Sequence, residues 1–168
     1  MKVLITGISG TGKSTVAKAL AEQEYKTIDV DKVDGLCHWF HRETGVVVDY
    51  KAELNAEFVK SHAWLCDRKK LEQLISSNKT VLVFGMADNF NELEELFDKT
   101  ILLQCSPEMF LDRIMQREDN EFGKHPEIQQ LLLETYKEFE CRAIKVGAVV
   151  VDASKHVDEV VNDIRKLL

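Results

Sequence analysis

The sequence predicts an α/β fold of three layers, a five-stranded parallel sheet between helices with a small added lid. Three observations carry that prediction. Short runs of Val, Ile and Leu alternate with stretches of helical periodicity along the chain. These runs are apolar at consecutive positions, as in strands covered on both faces, instead of switching between apolar and polar. A glycine-rich turn, Gly7 to Thr15, joins the first run to the first helical stretch. Strands and helices that alternate in this way fold into a parallel sheet with right-handed crossovers.

The elements follow in order. Strands are expected at Lys2–Thr6, Thr27–Val30, Thr80–Phe84, Thr100–Gln104 and Ala148–Asp152. The first helix, Lys13 to Glu24, sets Val16, Ala17, Leu20 and Ala21 on one face. Helical patterns also cover Asp31–Glu43, Ala52–Ser77, Pro107–Arg117, Pro126–Lys145 and Val157–Leu167. The stretch from Ala52 is about 26 residues, roughly 39 Å as one helix, and a break inside it is expected. Ser106 before Pro107 is a strong helix start, with Glu108 in the first turn.

At 168 residues the chain is one domain, 1–168, able to bury about 70% of its unfolded surface without disulfides or metal. It has no linker, repeat or low-complexity run. A net charge of −7 argues against nucleic acid and anionic membranes as partners, so an anionic ligand must be held by local positive charge. Cys37, Cys66, Cys105 and Cys141 are too scattered for a zinc site and are expected as buried, reduced thiols. The opening MKVLI is too short for a signal peptide or a membrane span, which makes a cytoplasmic location the expectation.

Gly7, Ile8, Ser9, Gly10, Thr11, Gly12, Lys13 and Ser14 satisfy G-x-x-x-x-G-K-S/T between a strand and a helix. Glycines let backbone N–H groups turn inward and approach phosphate oxygens, and the helix N-terminus adds partial positive charge. Gly7, Ser9, Gly10, Thr11, Gly12, Lys13, Ser14 and Thr15 are therefore the expected ATP cradle. Lys13 serves the terminal phosphates, and the Ser14 hydroxyl is a ligand for Mg²⁺.

With this motif the chain resembles the P-loop NTPases, which gives the fold its expected name. A guanine-reading N-K-x-D is missing, since NKTV at Asn78 lacks the acid, and TVLVF is followed by Gly85 instead of an acidic pair. The pattern resembles the nucleoside monophosphate kinase and shikimate kinase-like group. By that resemblance Asp29 lies near Mg²⁺ and Asp31, two residues on, orients or deprotonates an acceptor hydroxyl. The plainer reading makes Asp31 a helix cap.

The acceptor segment is expected at about 31–77 and helical. Within it, CHWFH (Cys37–His41) offers Trp39 and Phe40 either to a planar acceptor or to the core, and His38 or His41 to a polar one. RETG at Arg42–Gly45 is similar to a K-R-T-G stretch of shikimate kinases but lies 14 residues past Asp31. The lid is expected at about 117–126. Arg113 and Arg117 are four apart on one helical face, and Lys124 follows Gly123. By resemblance to adenylate kinase-like folds, Arg113 and Arg117 bind ATP, while Arg117 and Lys124 neutralise charge on the transferred phosphoryl group. Otherwise these are solvated cations at a helix end. The lid string, with GMADN (Gly85–Asn89), is similar to a set of small bacterial ATP-binding proteins. Asp152 and the two residues after it resemble a loop that contacts adenine.

The resemblance stops at the acceptor. A G-G-G after the third strand, an R-x-P-x-Y and a D-G-F-P-R are all missing. Two functions fit: ATP- and Mg²⁺-dependent phosphoryl transfer to a small hydroxyl or phosphate acceptor, or a nucleotide-binding regulator or slow ATPase. No protein partner is legible.

Overall fold

A computed structural model of the chain describes residues 1–48, 55–77, 79–118 and 120–168. In chain order the elements are β1 (Lys2–Thr6), α1 (Lys13–Ala21), β2 (Lys26–Asp29), β3 (Cys37–His41), β4 (Val47–Val48), α2 (Ala56–Ser61), β5 (His62–Cys66) and α3 (Arg68–Ile75). Then follow β6 (Val81–Phe84), a 3₁₀ turn (Phe90–Leu96), β7 (Lys99–Gln104), α4 (Pro107–Gln116), α5 (Pro126–Lys145), β8 (Val149–Asp152) and α6 (Val157–Leu167). The main sheet has five parallel strands in the order β2-β6-β1-β7-β8. All five are strands the sequence predicts, within one residue at each end.

The consecutive apolar residues do what a doubly covered sheet requires. On β1, Val3 and Ile5 face one core and Leu4 the other; on β6, Leu82 and Phe84 oppose Val81 and Val83. Val16 and Leu20 of α1, Phe110 and Ile114 of α4, Ile128 of α5 and Ile164 of α6 cover the first face. Leu71 and Ile75 of α3, with Phe90 and Leu93 of the 3₁₀ turn, cover the second. Each such side chain contributes about 1.5–3 kcal/mol, so the carboxyl edge of the sheet is a firmly held platform. β8 departs from the expectation of two covered faces. It is an edge strand, and Val149 and Val150 remain exposed.

The helices expected at 31–43 and 52–77 are the main correction. The chain turns through residues 31–36 and enters an antiparallel sheet in the order β4-β3-β5. Asp31 therefore caps no helix. Cys37 to His41 pair in register with Cys66 to His62, and Trp39 meets Trp64 with ring centroids 5.3 Å apart. Such cross-strand aromatic pairs favour strands, and a partner distant in sequence overrides local helical periodicity. What remains helical is set by two caps. Asn55 Oδ1 accepts from the Phe58 N–H at 2.9 Å and starts α2, and Asp67 Oδ1 accepts from Lys70 at 2.8 Å and starts α3. The expected start at residues 52–54 lies outside the described residues. RETG is the turn between β3 and β4, closed by the Gly45 N–H on the His41 carbonyl at 2.8 Å.

The free edge of β5 is held by the segment after β6. Asp88 donates its N–H to the Trp64 carbonyl at 2.8 Å and accepts the Trp64 N–H at 3.2 Å. Asn89 accepts from the Cys66 N–H at 2.9 Å and donates to the Cys66 carbonyl at 3.0 Å. Two side chains thus stand in for a missing neighbour strand. All four cysteines are free thiols, and Cys141 is exposed on α5, contrary to the expectation of burial.

Asn89→Ala strips both partners from the Cys66 backbone. It is expected to cost about 1–3 kcal/mol in urea denaturation, with the far-UV spectrum of the main sheet and helices retained.

Candidate active site

Strand order reverses direction at β1, since the chain first crosses to β2 and β6 on one side and then to β7 and β8 on the other. Ligands of open α/β sheets bind beyond the carboxyl ends at such a point. The glycine-rich loop follows β1 there. Gly10 has φ 86° and packs so closely on α4 that a Cβ would lie 2.3 Å from the Phe110 carbonyl oxygen. Gly12 caps α1 at φ 90° with no side chain over the helix end, leaving the first N–H groups for an anion. Thr11 Oγ1 donates to the Ile8 carbonyl at 2.9 Å and holds the loop in shape.

Lys13 folds over this loop. Its Nζ donates to the carbonyls of Gly7 at 2.7 Å and Ile8 at 3.0 Å. Burial lowers its pKa to about 8, partly opposed by the negative charges of Asp31 and Asp29 and assisted by Arg117. Asp31 answers in the opposite sense. Burial raises its pKa, while Lys13 and a side-chain hydrogen bond from Trp64 hold it down. Asp29 accepts the Asp31 N–H on Oδ1 at 3.3 Å. Its Oδ2 is buried without a hydrogen bond, with Lys32 Nζ 3.5 Å away. A buried carboxylate oxygen with no hydrogen bond, held only by a lysine ammonium 3.5 Å away, suits a hard cation such as Mg²⁺ and its waters.

A cleft of about 780 Å³ runs over the loop from Ser9 to Val16. Among the described residues its charged lining comprises Lys13, Lys32, Arg42, Arg113, Arg117 and Lys155 against Asp31 and Asp88. An excess of cations in one cleft of a chain of net charge −7 focuses the field on a polyanionic ligand. Ser9, Gly10, Thr11, Gly12, Ser14 and Thr15 all line it.

Arg113 and Arg117 both reach the cleft, though not as neighbours on one helix. α4 ends at Gln116, and Arg117 is its extended cap. Arg113 Nη1 donates to the Ala153 carbonyl at 2.9 Å, bridging α4 to the loop after β8. Arg117 donates to the carbonyls of Asn120 and Phe122 and gathers the polar turn. Lys124 is not in the cleft wall; it pairs with Glu121 at 2.7 Å. Asp152 is outside the wall too, accepting from Ser154, while Ala153 and Lys155 beside it are inside. Gly7 and Asp29 sit beneath the wall. Trp39 lines the cleft, whereas Phe40, which alternates to the other face of β3, does not.

Trp64, Asp88 and Lys155 were not among the residues expected in the site. Trp64 lay hidden in a stretch read as helix, although HAWLC between the polar caps Asn55 and Asp67 is a strand-length run. Asp88 anchors Arg42 at 3.1 Å and so shapes the wall. Among the described residues no group of three or more His, Cys, Asp or Glu is arranged to hold a metal, and no helix is long and apolar enough to cross a membrane.

The sequence matches the family described as AAA domain over residues 3–145, and the chain belongs to that family. It is 27% identical to a shikimate kinase of Sulfurihydrogenibium sp. (strain YO3AOP1), covering 98% of both chains. It is 28% identical to a dephospho-CoA kinase of Fusobacterium nucleatum over 68% of this chain and 66% of the relative. The fold is similar to shikimate kinase from Acinetobacter baumannii in complex with shikimate, with a TM-score of 0.65 at 18% identity over 99% of this chain and 91% of that one. It is also similar to deoxyadenosine kinase from M. mycoides, with a TM-score of 0.60 at 17% identity over 99% and 97%. The chain thus belongs to the AAA domain family and has the fold of these small-molecule kinases.

Unfolded, the Lys13 ammonium keeps its proton to about pH 10.5; folded, it releases it near pH 8. Between those values the unfolded state holds more protons, so Lys13 makes ligand-free stability rise with pH. The unfolding free energy of the wild type minus that of Lys13→Met is expected to increase across this window in urea titrations. At pH 7, ATP is expected to raise the melting temperature of the wild type and not that of Lys13→Met.

Proposed function

We propose that this protein catalyses ATP- and Mg²⁺-dependent phosphoryl transfer to a small-molecule acceptor in the cytoplasm. The observation that carries the reading is that Lys13, at the phosphate loop, and Asp31 line one cleft within electrostatic reach of each other. The donor phosphates lie on the loop N–H groups from Ser9 to Thr15, and Lys13 exchanges the Gly7 and Ile8 carbonyls for terminal phosphate oxygens. Ser14, with Asp29 through bound water, would hold Mg²⁺, which supplies charge neutralisation between the phosphates. Arg113 and Arg117 take the nucleotide side, and the loop after Asp152 borders the adenine.

Asp31 orients the acceptor hydroxyl and takes its proton as the new O–P bond forms and the bridging bond to ADP breaks. Its raised pKa makes it a better base than an ordinary carboxylate. Lys124 joins the transferred phosphoryl group only if its pair with Glu121 opens.

Asp31→Asn is expected to lower kcat by about 10²–10⁴-fold with ATP affinity retained, measured with labelled ATP against nucleosides, nucleotides, sugars and sugar acids. A slow ATPase or binding switch would hardly respond to that substitution. Normal ATP binding with no transfer to any acceptor would refute the kinase reading. In the wild type, kcat is expected to fall as pH drops through a value above the ordinary 3.8 of aspartate, as Asp31 becomes protonated.

A further inference from the structure

The sheet order divides the cleft at β1. On the β7 and β8 side Arg113, Arg117 and Lys155 line the wall, and Lys155 Nζ stands 2.7 Å from Asp163 Oδ2, which lies outside the described lining. On the β2 and β6 side both cations among the described lining residues face an acid: Lys32 Nζ stands 3.5 Å from Asp29 Oδ2, and Arg42 Nη2 stands 3.1 Å from Asp88 Oδ2. Asp31 adds a further carboxylate there. An acceptor bearing a phosphate or carboxylate would meet Asp31 as a like charge and would have to draw Arg42 away from Asp88.

What this half offers in surplus is aromatic surface. Trp39 and Trp64 both line it, directly opposite on β3 and β5, with centroids 5.3 Å apart. Phe58 braces Trp39 edge-on at 5.3 Å. Trp64 also contacts Asp31, which brings the aromatic surface next to the carboxylate. Arg42 and Asp88 give one edge a donor and an acceptor, and Asp88 Oδ1 is left over from the pair and from its bond to the Trp64 N–H.

We infer that the acceptor is a neutral nucleoside, a planar heteroaromatic ring carrying a hydroxyl, and neither a nucleoside monophosphate nor a hydroxy acid; the inference rests on the kinase reading above. The ring lies on the Trp39 and Trp64 surface, its polar edge toward Arg42 and Asp88, and the sugar hydroxyl reaches Asp31. The hydroxyl proton passes to Asp31 and its oxygen bonds the terminal phosphorus of ATP. The bridging bond breaks, leaving ADP and a nucleoside monophosphate.

Trp39 and Trp64 are the only tryptophans of the chain, so intrinsic fluorescence reads this surface directly. The ligand-free protein is titrated with adenosine, cytidine and thymidine, with their 5′-monophosphates and with gluconate. Transfer from γ-labelled ATP to the same panel is measured in parallel. At least one nucleoside is expected to change the tryptophan emission and to be phosphorylated with a KM about tenfold or more below that of its monophosphate. Trp39→Leu is expected to raise that KM about tenfold with the KM for ATP unmoved, and Trp39→Phe to restore most of it. Transfer to a monophosphate or to gluconate, with nucleosides neither bound nor phosphorylated, overturns the inference and leaves the kinase reading standing. Nucleoside binding without transfer to any acceptor overturns the kinase reading and the acceptor role with it. Silence in both measurements across the panel overturns both.

Discussion

Lys13 holds a positive charge inside a loop of backbone carbonyls at the carboxyl edge of the sheet. That arrangement constrains the rest of the site. A buried ammonium is expensive unless it is paired and hydrogen-bonded. Here the carbonyls of Gly7 and Ile8 supply the bonds, and Asp29 and Asp31 supply the opposing field. Burial still dominates and depresses the Lys13 pKa, so the arrangement is poised for more negative charge than the protein provides. Two polar features point the same way: the uncapped start of α1 and the unsatisfied Asp29 Oδ2. A nucleotide triphosphate with its cation, as proposed above, would satisfy all three together, as a seat for a ligand requires and a mere turn does not.

The second constraint is mechanical. The proposed acceptor side is the small β4-β3-β5 sheet, and β5 is tied to the main sheet through the segment that follows β6. β6 neighbours β1, the strand that delivers the loop. Asp88 and Asn89 therefore hold the small sheet against the main one with one short stretch of chain, and with it the spacing between the proposed donor and acceptor sides. That is useful where a misplacement of about 1 Å can cost on the order of a hundredfold in rate.

How much of this was legible in the sequence follows from how local each part is. The loop from Gly7 to Thr15, the five strands of the main sheet and the Ser106 cap are encoded within a few residues of themselves, and all of them appear where their patterns put them. The small sheet is not local. Cys37–His41 forms a strand because His62–Cys66 lies beside it, and periodicity within either segment cannot report that pairing. Trp64 was lost for that reason. Trp39 was found because it sits among aromatics, with its partner unseen. Arg117 lines the cleft from the end of α4 and not from the helical face its spacing suggests.

The missing acceptor motifs take on a physical meaning in this light. The signatures expected after the third strand, G-G-G or D-G-F-P-R, fall where this chain has GMADN. That segment spends Asp88 and Asn89 on the edge of β5, so it is committed to building the acceptor wall as much as to touching the acceptor. A chain that uses this junction structurally must recognise its acceptor elsewhere, and the surface thereby held in place is the one bearing Trp39 and Trp64. The same pairing that hid this half from the sequence thus decides which side chains would face the proposed acceptor: aromatic rings and the Arg42–Asp88 ion pair, across the cleft from Arg113 and Arg117.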